Sequence, residues 1–469
     1  GSSLVQKEQG SVVTLVRGQA NASVPALIFD PELVDCAPNS GFVLGTGETP
    51  ENSLMGLYLG KPVQQLKINL PSSSTAQLKT VAANIEGHLD IAGGTFDANS
   101  LDLNLYGDVS VAGTFLPSAN TTYFKGLGNQ LISGDVTFNK VVKEGSGTWI
   151  QADDSEVTVA DFLRVEAGVV NTDDNQLIVQ GDLLVAEGAV TISESSSDGI
   201  ILAGANTQLL QGGGRIGRLA IDNPAGVVVP TQGGALTFDG QLKLNEGVLD
   251  IGRNLLVIGK DAEIVSGTDG FTANAMIQTN LSFTDAGIRK FLPEISSGQI
   301  LVVPIGSMGR YTPVTFNIGS NGNATGSIRV KAANEPHITI EPGNRNRVLQ
   351  YNWTLDADGL EGFSADVQMQ AFAAAVAGNG NGYITARLLD AEEGLWNKYT
   401  VDGFDESTYL LNFTFDNTDD AGIDGDFTAG EEDAIPDKVQ TFVTIDNGNW
   451  NLASTWRVEG GGVVPAGGP

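Results

Sequence analysis

One stretch of this chain occurs three times, and it constrains the fold more than any other feature. Each copy has a short run in which apolar and polar residues alternate, then a glycine, then a second short run that ends in Asp or Asn. Such alternation is typical of a strand with one buried face, and glycine marks the turn between strands. The copies are residues 89–97 (LDIAGGTFD), 163–171 (LRVEAGVVN) and 242–250 (LKLNEGVLD), with further strand-like runs at 103–111, 177–185 and 256–264.

The spacing of the copies indicates the architecture. Gly94, Gly168 and Gly247 stand at equivalent points, 74 (168 − 94) and 79 (247 − 168) residues apart. A short strand with one apolar face cannot fold alone, whereas stacking like strands over like strands buries their faces in a continuous column. The repeat therefore predicts a right-handed parallel β-helix of about ten turns, each of ~20–25 residues. We expect Gly94, Gly168 and Gly247 to lie above one another in equivalent surroundings.

Corner chemistry favours the same fold. Gly-Asp or Gly-Lys-Asp corners recur at the same place in each copy, as stacked corners require. The Asn-Gly hairpin signature of antiparallel strands is scarce, which disfavours a propeller. Helical periodicity is absent from the repeat.

Changes of pattern divide this all-β chain into four segments. Residues 1–50 are interpreted as an N-terminal cap and residues 51–270 as the β-helix repeat array. Residues 271–417 contain longer alternating strands with proline at their ends, typical of an antiparallel, Ig-like β-sandwich with Trp353 and Trp396 between its sheets. Residues 418–469 are interpreted as an acidic linker and the start of a further β-helix module.

Composition excludes several classes of function. The chain has 25 basic and 56 acidic residues, so its net charge of −31 disfavours nucleic acids and anionic lipid surfaces as partners. The charge fits either solubility outside the cell or the binding of divalent cations. Cys36 is the only cysteine, so no intrachain disulfide forms, and we expect it to be a small buried residue. No run of ~18 apolar residues is present, so direct membrane insertion is not expected.

The end of the chain carries a resemblance to a known family. Residues 448–456 (GNWNLASTW) and 461–465 (GGVVP) resemble the opening of a β-helix module in large cell-surface proteins of Bacteroidetes. Residues 303–306 (VPIG), 311–314 (YTPV) and 425–431 (GDFTAGE) are similar to hallmarks of the sandwich domains in those proteins. The resemblance implies alternating β-helix and sandwich modules, export by the type IX secretion system, and a role as an adhesin or filament. It also implies that this chain is a piece of a longer protein.

Candidate sites are few. An acidic loop offers clustered oxygen ligands separated by glycine, which suits calcium, although its spacing does not match an EF-hand. We expect no catalytic residues, because the two histidines, His88 and His337, lie far apart in the sequence and no nucleophile motif accompanies them. The candidate calcium ligands are Asp419, Asp420, Asp424, Asp426 and Glu431.

The sequence therefore predicts a structural segment of a large extracellular surface protein, a stalk, filament or hook that serves attachment to surfaces or other cells and self-associates. One alternative is a carbohydrate-binding module, in which exposed Trp149, Tyr383 or Trp396 would stack on surface glycans. A further alternative is a polysaccharide-acting enzyme with carboxylates along one face. The pairs Asp153-Asp154 and Asp173-Asp174 lie in turns, where solvated side chains are the simpler interpretation.

Overall fold

A computed structural model describes most of the chain, and it is all-β, with 53% strand and 3% helix. A β-solenoid of about ten turns is followed by antiparallel sheets. None of the helices in this part of the chain is long and apolar enough to cross a membrane. The described residues are 3–6, 10–17, 25–230, 235–279, 287–322, 325–389, 396–399, 403–416, 422–436, 442–445, 449 and 452–458.

The solenoid has three faces, and the chain visits them in the same order in each turn. Face one is a parallel ladder of Val12–Leu15, Gly41–Leu44, Gln65–Asn69, Leu89–Gly93, Val109–Val111, Gln130–Ser133, Thr148–Gln151, Val169–Asn171, Val190–Ile192, the first parts of Arg215–Asp222 and Leu236–Glu246, Leu255–Ile258 and Gly287–Phe291.

Face two consists of two parallel ladders, one after the other along the rod. The first contains Leu27–Phe29, Leu54–Leu59, Thr75–Leu78, Thr95–Asp97 and Thr114–Leu116. The second contains the first parts of Val136–Lys143 and Val157–Val165, then Leu177–Val179, Ile200–Leu202, the second parts of Arg215–Asp222 and Leu236–Glu246, and Glu263–Ser266.

Face three completes each turn. It contains Ala83–Ile85, Leu103–Leu105, Thr121–Phe124, the second parts of Val136–Lys143 and Val157–Val165, Asp182–Val185, Gln208–Gln211, Val227–Val228, Leu249–Gly252, Ile277–Thr279 and Ile305–Ser307. Ser3–Gln6 and Leu33–Cys36 form a separate parallel pair.

The apolar core lies inside the rod, because alternate residues of most of its strands point inwards. Like residues stack, as Leu66, Leu89, Val109 and Ile132 do on face one. Each fully buried side chain of this kind contributes about 1.5–3 kcal/mol relative to an exposed one. Aromatic rings also stack between turns: the Phe124 and Trp149 rings lie 5.3 Å apart and nearly parallel. The predicted stacking of like strands is thus confirmed.

The three repeat glycines do not form one column, contrary to our expectation. Gly94 lies between faces one and two, Gly168 between faces three and one, and Gly247 between faces two and three. Successive turns on face one between residues 65 and 171 are offset by 19 to 23 residues, and the 74 residues from Gly94 to Gly168 amount to three and two-thirds turns. Each copy of the repeat is therefore rotated by one face relative to the copy before it.

The surroundings of these glycines are nevertheless equivalent. All three have positive φ, at 71°, 72° and 105°. A Cβ atom on any of them would press against backbone of the preceding turn, such as the Ser74 carbonyl oxygen, 2.9 Å from the Cβ position of Gly94. Because the faces are equivalent, one strand-corner-strand unit serves all three corners.

Gly-Asp dipeptides link three consecutive turns, and one stands at each type of corner. The Cβ position of Gly134 overlaps the Val111 carbonyl oxygen of the turn before. The adjacent Asp135 Oδ1 accepts a 3.0 Å hydrogen bond from the Glu156 backbone N–H of the turn after. The same arrangement occurs at Gly107-Asp108, where Leu131 is the donor (2.9 Å), and at Gly181-Asp182, where Leu209 is the donor (2.8 Å).

Buried glutamines satisfy backbone groups at the corners. Gln130 accepts from the Gly126 N–H (2.9 Å) and donates to the carbonyl oxygens of Leu105 (3.1 Å) and Gly107 (2.9 Å). Gln208 repeats this pattern at another corner, accepting from the Gly204 N–H at 2.8 Å and donating to the Val179 and Gly181 carbonyl oxygens. Since an unsatisfied buried peptide group costs about 1–3 kcal/mol, these side chains allow polar corners inside an apolar rod.

The solenoid continues directly into the antiparallel region. Gly287–Phe291 pairs in parallel with Leu255–Ile258 on one edge and antiparallel with Ser327–Ala333 on the other. From there the sheet extends through Asn352–Asp358, Gly425–Glu431, Tyr383–Leu388 and Trp396–Tyr399. A second antiparallel sheet contains Gln299–Val303, Val314–Ser320, Ser364–Gln370, Leu410–Phe415 and Phe404–Asp405.

Short elements complete the described chain. The 3₁₀-helices are Arg345–Arg347, Ala373–Ala375, Gly380–Gly382 and Ala453–Thr455, and the remaining strands are Arg310–Tyr311, Phe442–Thr444 and Trp456–Val458. Of the residues that carry the family resemblance, Gly448, Trp450, Asn451 and all of 461–465 lie outside the described residues.

The parallel ladder extends past the boundaries expected at residues 50 and 270. Gly41–Leu44 already pairs with strands on both sides, and Ile277–Thr279 continues face three towards Ile305–Ser307. The segment 1–50 therefore contributes strands to the first turns. The sequence pattern does not distinguish these limits, because apolar and polar residues alternate both in a strand of the ladder and in a strand of a cap.

The two tryptophans assigned to the inter-sheet core have different fates. Trp353 is fully buried in the main core, and it packs 4.9 Å from the Tyr351 ring. Trp396 belongs to a separate cluster that includes Ile384, Ala386 and Leu388, which alternate with residues directed into the main core. Trp396 is thus not between the two sheets. Cys36 is half-buried rather than buried.

We predict that Gly134→Ala destabilises the solenoid strongly. The φ of +85° costs a non-glycine residue about 1–3 kcal/mol, and overlap with the Val111 carbonyl oxygen adds to that cost. Gly128→Ala is the matched control, because nothing lies within 4 Å of its Cβ position, and it should change stability by no more than about 0.5 kcal/mol. Equal urea midpoints for the two variants would contradict this account of the corners.

Candidate functional site

The predicted calcium ligands are only partly described. Asp419 and Asp420 lie outside the described residues, whereas Asp424 precedes the strand Gly425–Glu431, which contains Asp426 and Glu431. A strand rises about 3.3 Å per residue, so the α-carbons of Asp426 and Glu431 are about 16 Å apart. Glu431 therefore cannot share one ion with Asp424 or Asp426.

Asp426 is engaged by protein groups. Its Oδ2 lies 3.0 Å from His337 Nε2, and the Thr354 hydroxyl donates to its Oδ1 at 2.5 Å. Burial would raise the pKa of Asp426, but the hydrogen bonds from His337 and Thr354 outweigh it and leave the pKa lowered. His337 is 3% exposed, and its Nδ1 lies 2.9 Å from Thr339 Oγ1, which also accepts from Trp396 Nε1 at 3.1 Å.

The other two acidic residues have partners of their own. Glu431 accepts from the Asn379 N–H (2.9 Å) and from Arg347 (2.7 and 2.9 Å), and these contacts lower its pKa. Asp424 accepts from the Ala357 N–H, and burial raises its pKa. In the part of the chain that the structure describes, no group of three His, Cys, Asp or Glu side chains could hold a metal ion. Calcium at the acidic loop stays a prediction.

The aromatic side chains proposed to stack on sugars are buried. Trp149, Tyr383 and Trp396 are 1%, 8% and 4% exposed, so they cannot form a sugar-stacking platform as they stand. In the strand Thr148–Gln151 every second residue points inwards, and these residues are Trp149 and the polar Gln151. Tyr106 is an outward-facing aromatic, 41% exposed at the corner before Gly107. Sequence reasoning missed it, although the alternation of buried Leu103, outward Asn104 and buried Leu105 directs Tyr106 outwards.

A shallow cleft of about 480 Å³ lies on face one, across four turns. Two contacts cross between turns there: Lys67 Nζ forms an ion pair with Asp90 at 2.6 Å, and His88 Nδ1 lies 3.4 Å from the Asp108 carboxylate. We call the outward side chains of this cleft the four-turn array: Gln65, Lys67, His88, Asp90, Asp108, Ser110, Leu131 and Ser133.

A second cleft, of about 960 Å³, lies beside the loop at residues 267–276. Its lining is polar, with Asp222, Glu246 and Asp269 as carboxylates. Its cation, Lys243, already pairs with Asp198 through hydrogen bonds of 2.9 and 3.0 Å.

Two lysines are buried in the rod. Lys143 is fully buried between Phe124 and Val165 of the neighbouring turns, and its ammonium donates to the Gly145 carbonyl oxygen. Lys290 is 6% exposed and donates to the carbonyl oxygens of Gly259 (2.6 Å) and Lys260 (2.8 Å). Burial lowers the pKa of each lysine to about 8.

Comparisons with known proteins returned no matching family model, no matching curated protein and no matching solved structure.

For calcium, we predict that the protein has a higher melting temperature in millimolar calcium than in a chelator. An ion that binds only the folded state stabilises that state. Differential scanning calorimetry checks this. An unchanged melting temperature would remove calcium from the account of this chain.

For the buried lysines, we predict that Lys143→Met and Lys290→Met together stabilise the protein most at neutral pH. The folded pKa of about 8 is below the ordinary 10.5, so between these values the unfolded chain binds more protons and wild-type stability rises with pH. The advantage of the variant in urea midpoint should shrink from pH 7 to pH 9.5.

The control for that experiment is Lys125→Met, a partly exposed lysine paired with Glu144. It should show the pH dependence of the wild type. A double variant whose advantage is the same at pH 7 and pH 9.5 would contradict the role given to the two buried ammonium groups.

Proposed function

We propose that this chain is a structural segment of a large extracellular surface protein, a stalk or filament unit that serves attachment to surfaces or other cells. One observation carries the proposal: the parallel ladder passes through Gly287–Phe291 into the antiparallel sheet without a break. A rod and an end domain that share one hydrogen-bonded sheet have no flexible linker at that junction. This continuity suits a spacer that must hold its shape.

The finer architecture belongs to the same proposal. The solenoid is a right-handed parallel β-helix, since connections between parallel strands of one sheet are right-handed in nearly all proteins. The two antiparallel sheets form an Ig-like sandwich, supported by rings that meet between them, such as Phe413 and Phe427 at 4.9 Å. Tension along the rod is then borne at each turn by the backbone hydrogen bonds of three faces together.

Location and partners follow from charge and resemblance. The net charge of −31 supports solubility outside the cell and disfavours nucleic acids as partners. The resemblance of residues 448–456 and 461–465 to Bacteroidetes surface proteins supports export by the type IX system, attachment to the cell surface and assembly into a multimeric appendage. The proposal assigns no reaction to the chain.

Immunogold electron microscopy on the cells that make the protein tests this proposal. We expect label on thin projections outside the cell, and a deletion strain that attaches less to surfaces than its complemented parent. A deletion strain complemented with a Gly134→Ala chain should also attach less, because its rod is destabilised. Label confined to the cell interior, or attachment unchanged in the deletion strain, would refute the proposal.

A further inference from the structure

We propose that the four-turn array on face one binds a neutral polysaccharide. The inference rests on the proposed extracellular role, and it names the chemical class of the partner. It locates glycan binding on the solenoid, away from the buried tryptophans that the sequence suggested.

The array is a built surface, because its side chains project from strands rather than loops. Its register is set by parallel pairing, with Asp90 opposite Lys67 and Ser110, and with Ser133 opposite Ser110. Neighbouring strands lie about 4.8 Å apart, so four turns present polar groups along roughly 14 Å. That length suits an extended oligosaccharide better than a single small molecule.

The polar groups match sugar hydroxyls, which both donate and accept hydrogen bonds. Gln65 supplies an amide, and Ser110 and Ser133 supply hydroxyls. The carboxylates of Asp90 and Asp108 accept hydrogen bonds, and the charge of Asp90 is partly neutralised by Lys67 in the adjacent turn. Specificity for sugars commonly depends on such a set of convergent polar groups rather than on net charge.

Charge selects a neutral ligand. Polyanions such as polyuronates are repelled by a chain of net charge −31. The one lysine of the four-turn array cannot offset this repulsion, because it is already paired with Asp90. A polycation would have to displace Lys67 from Asp90 and His88 from Asp108 to reach these carboxylates. An uncharged chain of hydroxyl groups pays neither cost.

Apolar side chains are available within the four-turn array and next to it in the sequence. Leu131 in the array is 42% exposed, and Tyr106, two residues before Asp108, is 41% exposed. The C–H faces of a pyranose ring pack well on such a side chain, and a tyrosine also keeps a hydroxyl for hydrogen bonding. Two apolar side chains are too few for a protein-binding patch but sufficient to orient a sugar.

The first test is a printed glycan slide that carries neutral glucans, mannans and galactans beside polyuronates and sulfated glycans. Calorimetry then measures the affinity for the neutral glycan that binds best. Tyr106→Ala should weaken binding about tenfold, a change of about 1.4 kcal/mol. Ser110→Ala should weaken it less. Tyr123→Ala, an outward tyrosine on face three, is the matched control and should leave the affinity unchanged.

Binding to acidic glycans alone, binding that Tyr106→Ala leaves intact, or no binding at all would each overturn the inference. Circular dichroism of both tyrosine variants checks that the solenoid remains folded. If no glycan on the printed slide binds but immunogold label lies on surface projections, the glycan site is refuted and the structural role is retained. Absence of label outside the cell would instead remove the structural role.

Discussion

The rest of the structure depends on the close approach of one turn of backbone to the next. Parallel strands hydrogen-bond at about 4.8 Å, which leaves no room for a Cβ atom where the chain turns sharply against the preceding turn. Glycines such as Gly134 and Gly247 occupy these points, and the carbonyl oxygens of Val111 and Asn223 fill the space of their missing side chains.

Polar corners around an apolar core create a second requirement, which is met by side chains of a few kinds. Aspartates after corner glycines accept the N–H of the next turn, and buried glutamines accept and donate within and between turns. Lys143 and Lys290 donate to corner carbonyl oxygens in the same way, although burial disfavours their charge. Successive turns of the rod are therefore joined by backbone hydrogen bonds on its faces and by side-chain hydrogen bonds at its corners.

Sequence reasoning predicted the solenoid, because the alternation of apolar residues has a direct structural meaning. It did not place the repeats on faces, because a three-faced rod presents equivalent corners and a copy 74 residues on lies three and two-thirds turns later, one face short of a fourth full turn. It assigned Trp149 to the surface because alternation alone does not tell which phase is buried, and here polar Gln151 shares the buried phase. The pairing of His337 with Asp426 joins residues 89 positions apart, which no local pattern indicates.

Of the candidate calcium ligands, Asp426 and Glu431 are distant from each other along one strand, a consequence of reading a loop where the chain forms Gly425–Glu431. The outward surface of face one, by contrast, follows from the same alternation that builds the core. Once Leu66 and Leu89 are directed inwards, Lys67 and Asp90 must point outwards and meet. Fold and candidate binding surface are thus two results of one pattern.

The central claim is that solenoid and antiparallel region form one rigid body joined through Gly287–Phe291. Pulsed electron spin resonance tests it directly, with spin labels at Thr137→Cys on the solenoid and Glu361→Cys beyond the junction, in a Cys36→Ser background. The account predicts a single narrow distance distribution, unchanged by salt. A broad or multiple distance distribution would mean that the solenoid and the antiparallel region move independently, which would contradict the claim that they form one rigid body.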